Sequence, residues 1–247
     1  MVFPPAGAVM RNEGRLPAQP GHAARALVLA VSAAVLAPAA AQAQDLNNGR
    51  EVYGPCAACH GANGEGGKGG EYPRLAGQTP AYILAQLKAF QDRKRLNLPM
   101  FPYTEPRELP PADMVDVATY VAGISLPARA PVFKETDGAL DRLRAMEQVL
   151  VVPRVKGDLN RGERLYLRSC ADCHGRYGVA PGNHPNLVGQ YPNYLDRQMV
   201  DMAKGVRLHE RTAVSKDVVT ALTATDRRDI LAYLTSVQDR VPEPGGK

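Results

Sequence analysis

Two short stretches decide the fold: Cys56-Ala57-Ala58-Cys59-His60 and Cys170-Ala171-Asp172-Cys173-His174. They hold all four cysteines of the 247-residue chain. Two thiols separated by two residues, with His directly after the second, form the attachment signature of a c-type haem. The thiols can reach the two vinyl groups along one haem edge. The next residue then sits beneath the iron and ligates it from the proximal side. On this reading Cys56, Cys59, Cys170 and Cys173 are covalent haem-attachment residues, and His60 and His174 are axial iron ligands. The chain should carry two covalently bound haem c groups. An even cysteine count in an exported chain also suggests disulfides, but disulfides do not account for the His after each pair. A zinc site needs four ligands, which the two clusters together could supply. A thioredoxin-like C-x-x-C needs a surrounding βαβ pattern, which is absent.

The motifs lie in a duplicated unit. Asp45-Leu46-Asn47-Asn48-Gly49 matches Asp158-Leu159-Asn160-Arg161-Gly162. Tyr72-Pro73-Arg74-Leu75-Ala76-Gly77-Gln78 matches His184-Pro185-Asn186-Leu187-Val188-Gly189-Gln190. Pro80, Tyr82 and Gln86 match Pro192, Tyr194 and Gln198, and Asp113, Asp116 and Tyr120 match Asp226, Asp229 and Tyr233. The offset stays between 112 and 114, so only single-residue gaps are needed.

Each unit reads as helical, which predicts an all-α fold of two tandem small domains, each wrapped around a covalent haem. Short helices over 49–55 and 162–169 lead into the motifs. Amphipathic helices follow over 80–92 and 192–204, with proline in the first turn. Terminal helices span 111–124 and 225–237, with Asp113 and Asp226 near their N-termini, where a negative charge suits the helix dipole. Units of about 80 residues bury little core and commonly need a staple. A covalent haem supplies one, in a chain with four Phe and no Trp.

The predicted organisation is a signal peptide over 1–43, a first domain over 44–124, a linker with a possible helix over 125–157, a second domain over 158–240, and a tail over 241–247. The leader has Arg11, Arg15 and Arg25, then an apolar run over 26–37, then Ala41-Gln42-Ala43 as a small-residue cleavage site. That run is too short to span a bilayer, which takes about 20 residues. Met10 is an alternative start. In the linker, Leu140, Leu143, Met146 and Leu150 share one side of a helix over 137–150, which predicts a packed linker helix rather than a partner-binding site.

The formal charge of +5 is spread out. Residues 1–43 carry three Arg and one Glu, residues 45–124 eight basic and nine acidic side chains, and residues 158–247 thirteen and eleven. Without a basic block, nucleic-acid binding is not supported. Membrane contact would be at most peripheral. No Ser/His/Asp set or phosphate-binding glycine motif suggests another active site.

The export leader, the C-A-A-C-H-G and Y-P-R-L-A-G-Q segments, the Y-x-x-x-Q-L segment and their second copies resemble the dihaem cytochrome c4 family. The resemblance covers roughly 45–124 and 158–240. It implies class I cytochrome c domains in a bacterial periplasmic carrier that shuttles single electrons between respiratory partners. The implied partners are a cytochrome bc1-type donor and a terminal oxidase or reductase, or a dehydrogenase of which the chain is the cytochrome subunit. It also implies that Pro73 and Pro185 orient the proximal histidines through their carbonyls.

The resemblance further implies a distal methionine on each iron. Met100 fits in the first domain, within Pro99-Met100-Phe101-Pro102, while its rival Met114 suits packing. The second domain departs from the pattern. Thr212 or Ala213 aligns with Met100, and no Met follows Met202. Met199 and Met202 align with Leu87 and Phe90 and read as core. The distal side is left to His209, to Lys216, or open. An open second haem would suit a ligand sensor or a haem enzyme. A His209 ligand would instead lower that haem's potential relative to a Met-ligated one.

Overall fold

The computed structural model describes residues 44–209 and 218–240. All of them fall within one compact unit, Gln42–Lys247. The leader over 1–43, Thr212, Ala213, Lys216 and the tail over 241–247 lie outside the described residues. Among the described residues the regular elements are helices, with one isolated antiparallel bridge between Gly67 and Tyr72. No described helix is long and apolar enough to cross a membrane.

The first lobe contains α1 (Leu46–His60), α2 (Pro80–Gln91), the short α3 (Phe101–Thr104) and α4 (Pro111–Ala122). A connector helix, α5 (Ala139–Glu147), follows. The second lobe repeats the plan with α6 (Leu159–Ser169), α7 (Ala171–His174), α8 (Pro192–Ala203) and α9 (Ala224–Ser236). The repeated aspartates start the first helix of each lobe. Asp45 accepts from the N–H groups of Asn47 and Asn48 at 2.9 and 3.1 Å, and Asp158 accepts from that of Arg161 at 2.9 Å.

In each lobe the first helix crosses the last at a glycine. A Cβ on Gly49 would lie 2.4 Å from the Asp116 carbonyl oxygen, and one on Gly162 would lie 1.9 Å from that of Asp229. Polar clasps lock both crossings. Asn48 donates to Asp113 and Asp116 at 2.9 Å each. Arg161 donates to Asp229 at 2.7 Å and also binds Asp226.

The helices leading into the two motifs differ. Contrary to the short helix expected over 49–55, α1 continues through the motif to His60 with Pro55 inside it. In the second lobe α6 stops at Ser169, and Cys170 takes φ −127°. Seven positions separate Gly49 from Cys56, but eight separate Gly162 from Cys170. One extra helical residue would rotate the second motif by about 100° about the axis. The non-helical Cys170 absorbs that residue and lets α7 present His174 as α1 presents His60.

Each lobe has its own small core. Tyr53, Leu109, Met114 and Val117 anchor the first, and Tyr166, Ile230, Leu234 and Val237 the second. The equivalent tyrosines replace the missing large aromatics and tie down the chain after each motif. Tyr53 donates to the Gly61 carbonyl at 2.6 Å, and Tyr166 to that of Gly175 at 2.8 Å.

The linker helix does not pack as its apolar side suggests. Leu140, Leu143 and Met146 on α5 are 56%, 57% and 43% exposed. Each lobe closes its core with its own first and last helices, α1 with α4 and α6 with α9, which leaves no matching face for α5. The connector is anchored beyond α5, at buried Val152, whose N–H and carbonyl both pair with the Gln238 carboxamide at 3.0 Å.

Candidate haem sites

Both motifs end a helix with a buried histidine. His60 Nδ1–H donates to the Pro73 carbonyl at 2.9 Å, and His174 Nδ1–H to the Pro185 carbonyl at 3.0 Å. A carbonyl can only accept, so both rings carry their proton on Nδ1. Nε2 is then the nitrogen that could ligate. Burial pushes His60 below its ordinary pKa, against the pull of the Pro73 carbonyl, so the ring is neutral and able to ligate near pH 7. Tyr72 stands 6.4 Å from the His60 ring, and its repeat partner His184 stands edge-on, 6.2 Å from the His174 ring.

The cysteines are not paired with one another. Burial pushes the Cys56 thiol up and the Cys170 thiol up to about 11. Among the described residues no three His, Cys, Asp or Glu side chains converge on a possible metal ion.

Both motifs open onto one continuous cavity of about 1320 Å³. Its walls are Ile83, Leu87 and Val117 in the first lobe and Leu195, Ile230 and Leu234 in the second. A single small-molecule pocket holds roughly 300–1,000 Å³. Two thiols, an oriented imidazole and an apolar wall at each end of so large a cavity fit two covalent haems.

Met100 ends a 3-10 turn, Leu98–Met100, and lines the cavity, and its carbonyl accepts from Thr104 Oγ1 at 3.1 Å. Met114 is 3% exposed in the α4 core and does not line the cavity. Met199 and Met202 also line the cavity rather than a closed core. His209 lines it too, with its ring 18° from parallel to that of His174 and the centroids 6.3 Å apart. If both rings served one iron, His174 and His209 would be the residues that hold it in the second lobe.

A seam of matched polar side chains joins the lobes. Gln190 accepts from the Arg74 N–H at 3.0 Å and donates to the Arg74 carbonyl at 2.8 Å. Gln78 does the same to Asn186, at 2.9 and 2.7 Å. A second matched set, Arg95 and Arg207 with Tyr82, Tyr194, Gln86 and Gln198, also lines the cavity. The tyrosines and glutamines are repeat partners in the sequence, where nothing local assigns them a role. Identical polar residues recurring at one offset were the available signal.

The fold and these two sites define a tandem class I c-type cytochrome. The family description "Cytochrome c" matches residues 46–125, and "Cytochrome C oxidase, cbb3-type, subunit III" matches residues 157–234. A thiosulfate dehydrogenase electron acceptor of Thiomonas intermedia is 30% identical over 182 residues, covering 73% of this chain and 77% of that protein. Cytochrome c4 of Pseudomonas aeruginosa is 29% identical over 198 residues, covering 78% and 88%. The crystal structure of reduced recombinant cytochrome c4 from Pseudomonas stutzeri shares the fold, with a TM-score of 0.59 at 23% identity, covering 78% of this chain and 98% of that one. The chain belongs to the dihaem cytochrome c4 family. It is an electron-transfer cytochrome with two covalently bound haem c groups, and its partners are redox proteins.

Proposed function

We propose that this cytochrome is a periplasmic carrier that accepts single electrons from a dehydrogenase and passes them towards a terminal oxidase. Cys56, Cys59, His60 and Met100 hold haem 1, and Cys170, Cys173, His174 and His209 hold haem 2. The observation that carries the reading is the single cavity with an oriented proximal histidine at each end. Each bound haem supplies a one-electron Fe(III)/Fe(II) couple. The protein's part is to attach one edge through two thiols, to fix the proximal ring through Pro73 or Pro185, and to exclude water with the apolar walls. The leader pattern over 1–43 supports export, and the relatives named as acceptors of thiosulfate dehydrogenase support a dehydrogenase donor.

The distal sides differ in chemistry. A thioether on haem 1 favours Fe(II) and raises its potential. An imidazole on haem 2 favours Fe(III) by comparison. Electrons entering at haem 2 would then run downhill to haem 1. The parallel His174 and His209 rings favour this arrangement over an open second haem.

Stopped-flow absorbance tests the reading. The oxidised protein is mixed with thiosulfate alone, then with thiosulfate and a thiosulfate dehydrogenase. Reduction of both haems only when the dehydrogenase is present supports the carrier. Turnover of thiosulfate by the cytochrome alone would make it an enzyme and overturn the carrier role.

A further inference from the structure

Helix α5 turns its apolar side outward, and the rest of the connector braces it. Asp137 accepts from the Lys134 N–H at 2.7 Å, and Arg142 donates to the Asp137 and Lys134 carbonyls at 3.1 and 2.9 Å. The Arg142 guanidinium also stands 5.5 Å from the centre of the Phe133 ring. At the far end, the Leu150 N–H donates to the Pro127 carbonyl at 2.9 Å. Leu140, Leu143 and Met146 nevertheless face solvent, and Val132 and Val151, on the flanking segments, are 98% and 58% exposed. A helix of nine residues is marginal in water by itself, and helices in proteins draw most of their stability from packing an apolar face. The outward face of α5 therefore calls for a cover that neither lobe supplies.

The charges on the helix narrow the choice of cover. They are Asp141, Arg142, Arg144 and Glu147, two of each sign. A helix that lies on a lipid surface is rich in Lys and Arg on its polar side. A strongly charged partner is steered by a field of one sign. α5 has neither property. At about 100° per residue, Leu140, Leu143, Met146 and Glu147 fall within one arc of about 120°, and Arg144 borders that arc beside Leu140. Two such helices packed antiparallel about a twofold axis set Leu143 of one copy against Met146 of the other, and Leu140 against Val151. The same register brings Arg144 of each copy beside Glu147 of the other. Among the described residues, neither Arg144 nor Glu147 forms an ion pair within the chain. The face is complementary to itself, which is what a twofold interface requires.

We propose that α5 is a self-association helix through which two copies of this cytochrome pair antiparallel, with Leu143 and Met146 at the centre and reciprocal Arg144–Glu147 ion pairs at the border. Stable interfaces bury about 1,200–2,000 Å². One short helix with Val132 and Val151 on its flanks supplies at most the low end of that range, so the dimer forms reversibly as concentration rises.

The test is sedimentation velocity of the holoprotein across a concentration series, with wild type, Leu143→Lys, Arg144→Glu, and Arg144→Glu combined with Glu147→Arg. Two haems per chain and an unchanged absorption spectrum show that each variant has folded. The expected wild-type result is a mass that rises reversibly from one chain towards two, while Leu143→Lys stays at one chain throughout. Arg144→Glu should raise the dissociation constant by about tenfold or more, since two attractive pairs become repulsive. The charge swap should recover most of that loss. A wild type that stays at one chain throughout the series overturns the proposal. So does a dimer that survives Leu143→Lys, or a charge swap that recovers nothing. A one-chain mass together with α5 variants that slow reduction by the dehydrogenase would assign the face to the electron donor, and it too would overturn the dimer.

Discussion

Gln190 of the second lobe holds both peptide groups of Arg74 in the first, accepting from its N–H at 3.0 Å and donating to its carbonyl at 2.8 Å. The residue before Arg74 is Pro73, whose carbonyl orients His60. Each proximal histidine therefore hangs from a backbone segment that the opposite lobe clamps. Gln190→Ala removes these two hydrogen bonds across the seam, worth about 1–3 kcal/mol together, along with the one it accepts from the Tyr191 N–H in its own lobe. The expected outcome is weaker lobe docking, seen as a lower urea midpoint. The redox change should be greater at haem 1, although the substitution lies in the lobe of haem 2. A redox change confined to haem 2 would contradict the clamp.

The helix crossings give substitutions of opposite sign. Gly162→Ala drives a methyl group against the Asp229 carbonyl, whose oxygen would lie 1.9 Å away. The expected cost is about 1–3 kcal/mol, typical of overpacking. The second lobe should lose its haem more easily while the first keeps its own. Gly54→Ala in α1 is the control, since nothing lies within 4 Å of its added Cβ. It should stabilise the first lobe by about 0.5–1 kcal/mol through backbone entropy. Thermal unfolding of both variants checks the pair.

Acid should weaken the second lobe through Asp229 and Asp226. Hydrogen bonds from Arg161 hold the Asp229 carboxyl below its ordinary value, and those from Thr223 do the same for Asp226. A folded-state pKa below the unfolded one stabilises the fold above the unfolded value, and that contribution fades as pH falls through the folded value. Asp229→Asn should therefore lower Tm at neutral pH. The gap to wild type should narrow below about pH 4, where the carboxyl of the unfolded chain takes up its proton. A gap that stays constant with pH would mean that the clasp acts through shape rather than charge.

Carbon monoxide reports on the distal side of haem 2. With His209 in place, the reduced wild type should bind it slowly or not at all. His209→Ala should bind one equivalent rapidly, with haem 1 unaffected. Fast, stoichiometric binding by the wild type would mean that His209 does not close the site.

The duplicated helical plan was legible because its signals are local: two C-x-x-C-H motifs, paired capping aspartates, and prolines at the starts of α2, α4 and α8. The carbonyl support of His60 and His174 was legible only through family resemblance, since nothing in the spacing of Pro73 and Pro185 dictates it. Two features escaped for physical reasons. The apolar side of α5 looks like a core face at helical spacing, but each lobe already closes its core, and Leu140 and Leu143 stay exposed. The Arg95–Arg207 seam depends on how the lobes dock. Side chains about 112 residues apart in sequence meet only in the folded chain. The one-residue difference before Cys170 was visible as a gap in the repeat, but its absorption by a helix break was not.

The central claim is that two covalent haems sit in equivalent proximal settings with unlike distal ligands, Met100 on one and His209 on the other. A potentiometric titration followed by optical and electron paramagnetic resonance spectroscopy, on wild type, Met100→Ala and His209→Ala, tests it most directly. The expected result is two one-electron steps. The higher should carry the near-infrared band of an iron–thioether bond, lost in Met100→Ala, and the lower a bis-imidazole signal, lost in His209→Ala. A bis-imidazole signal absent from the wild type, or unchanged when His209 is replaced, would contradict it.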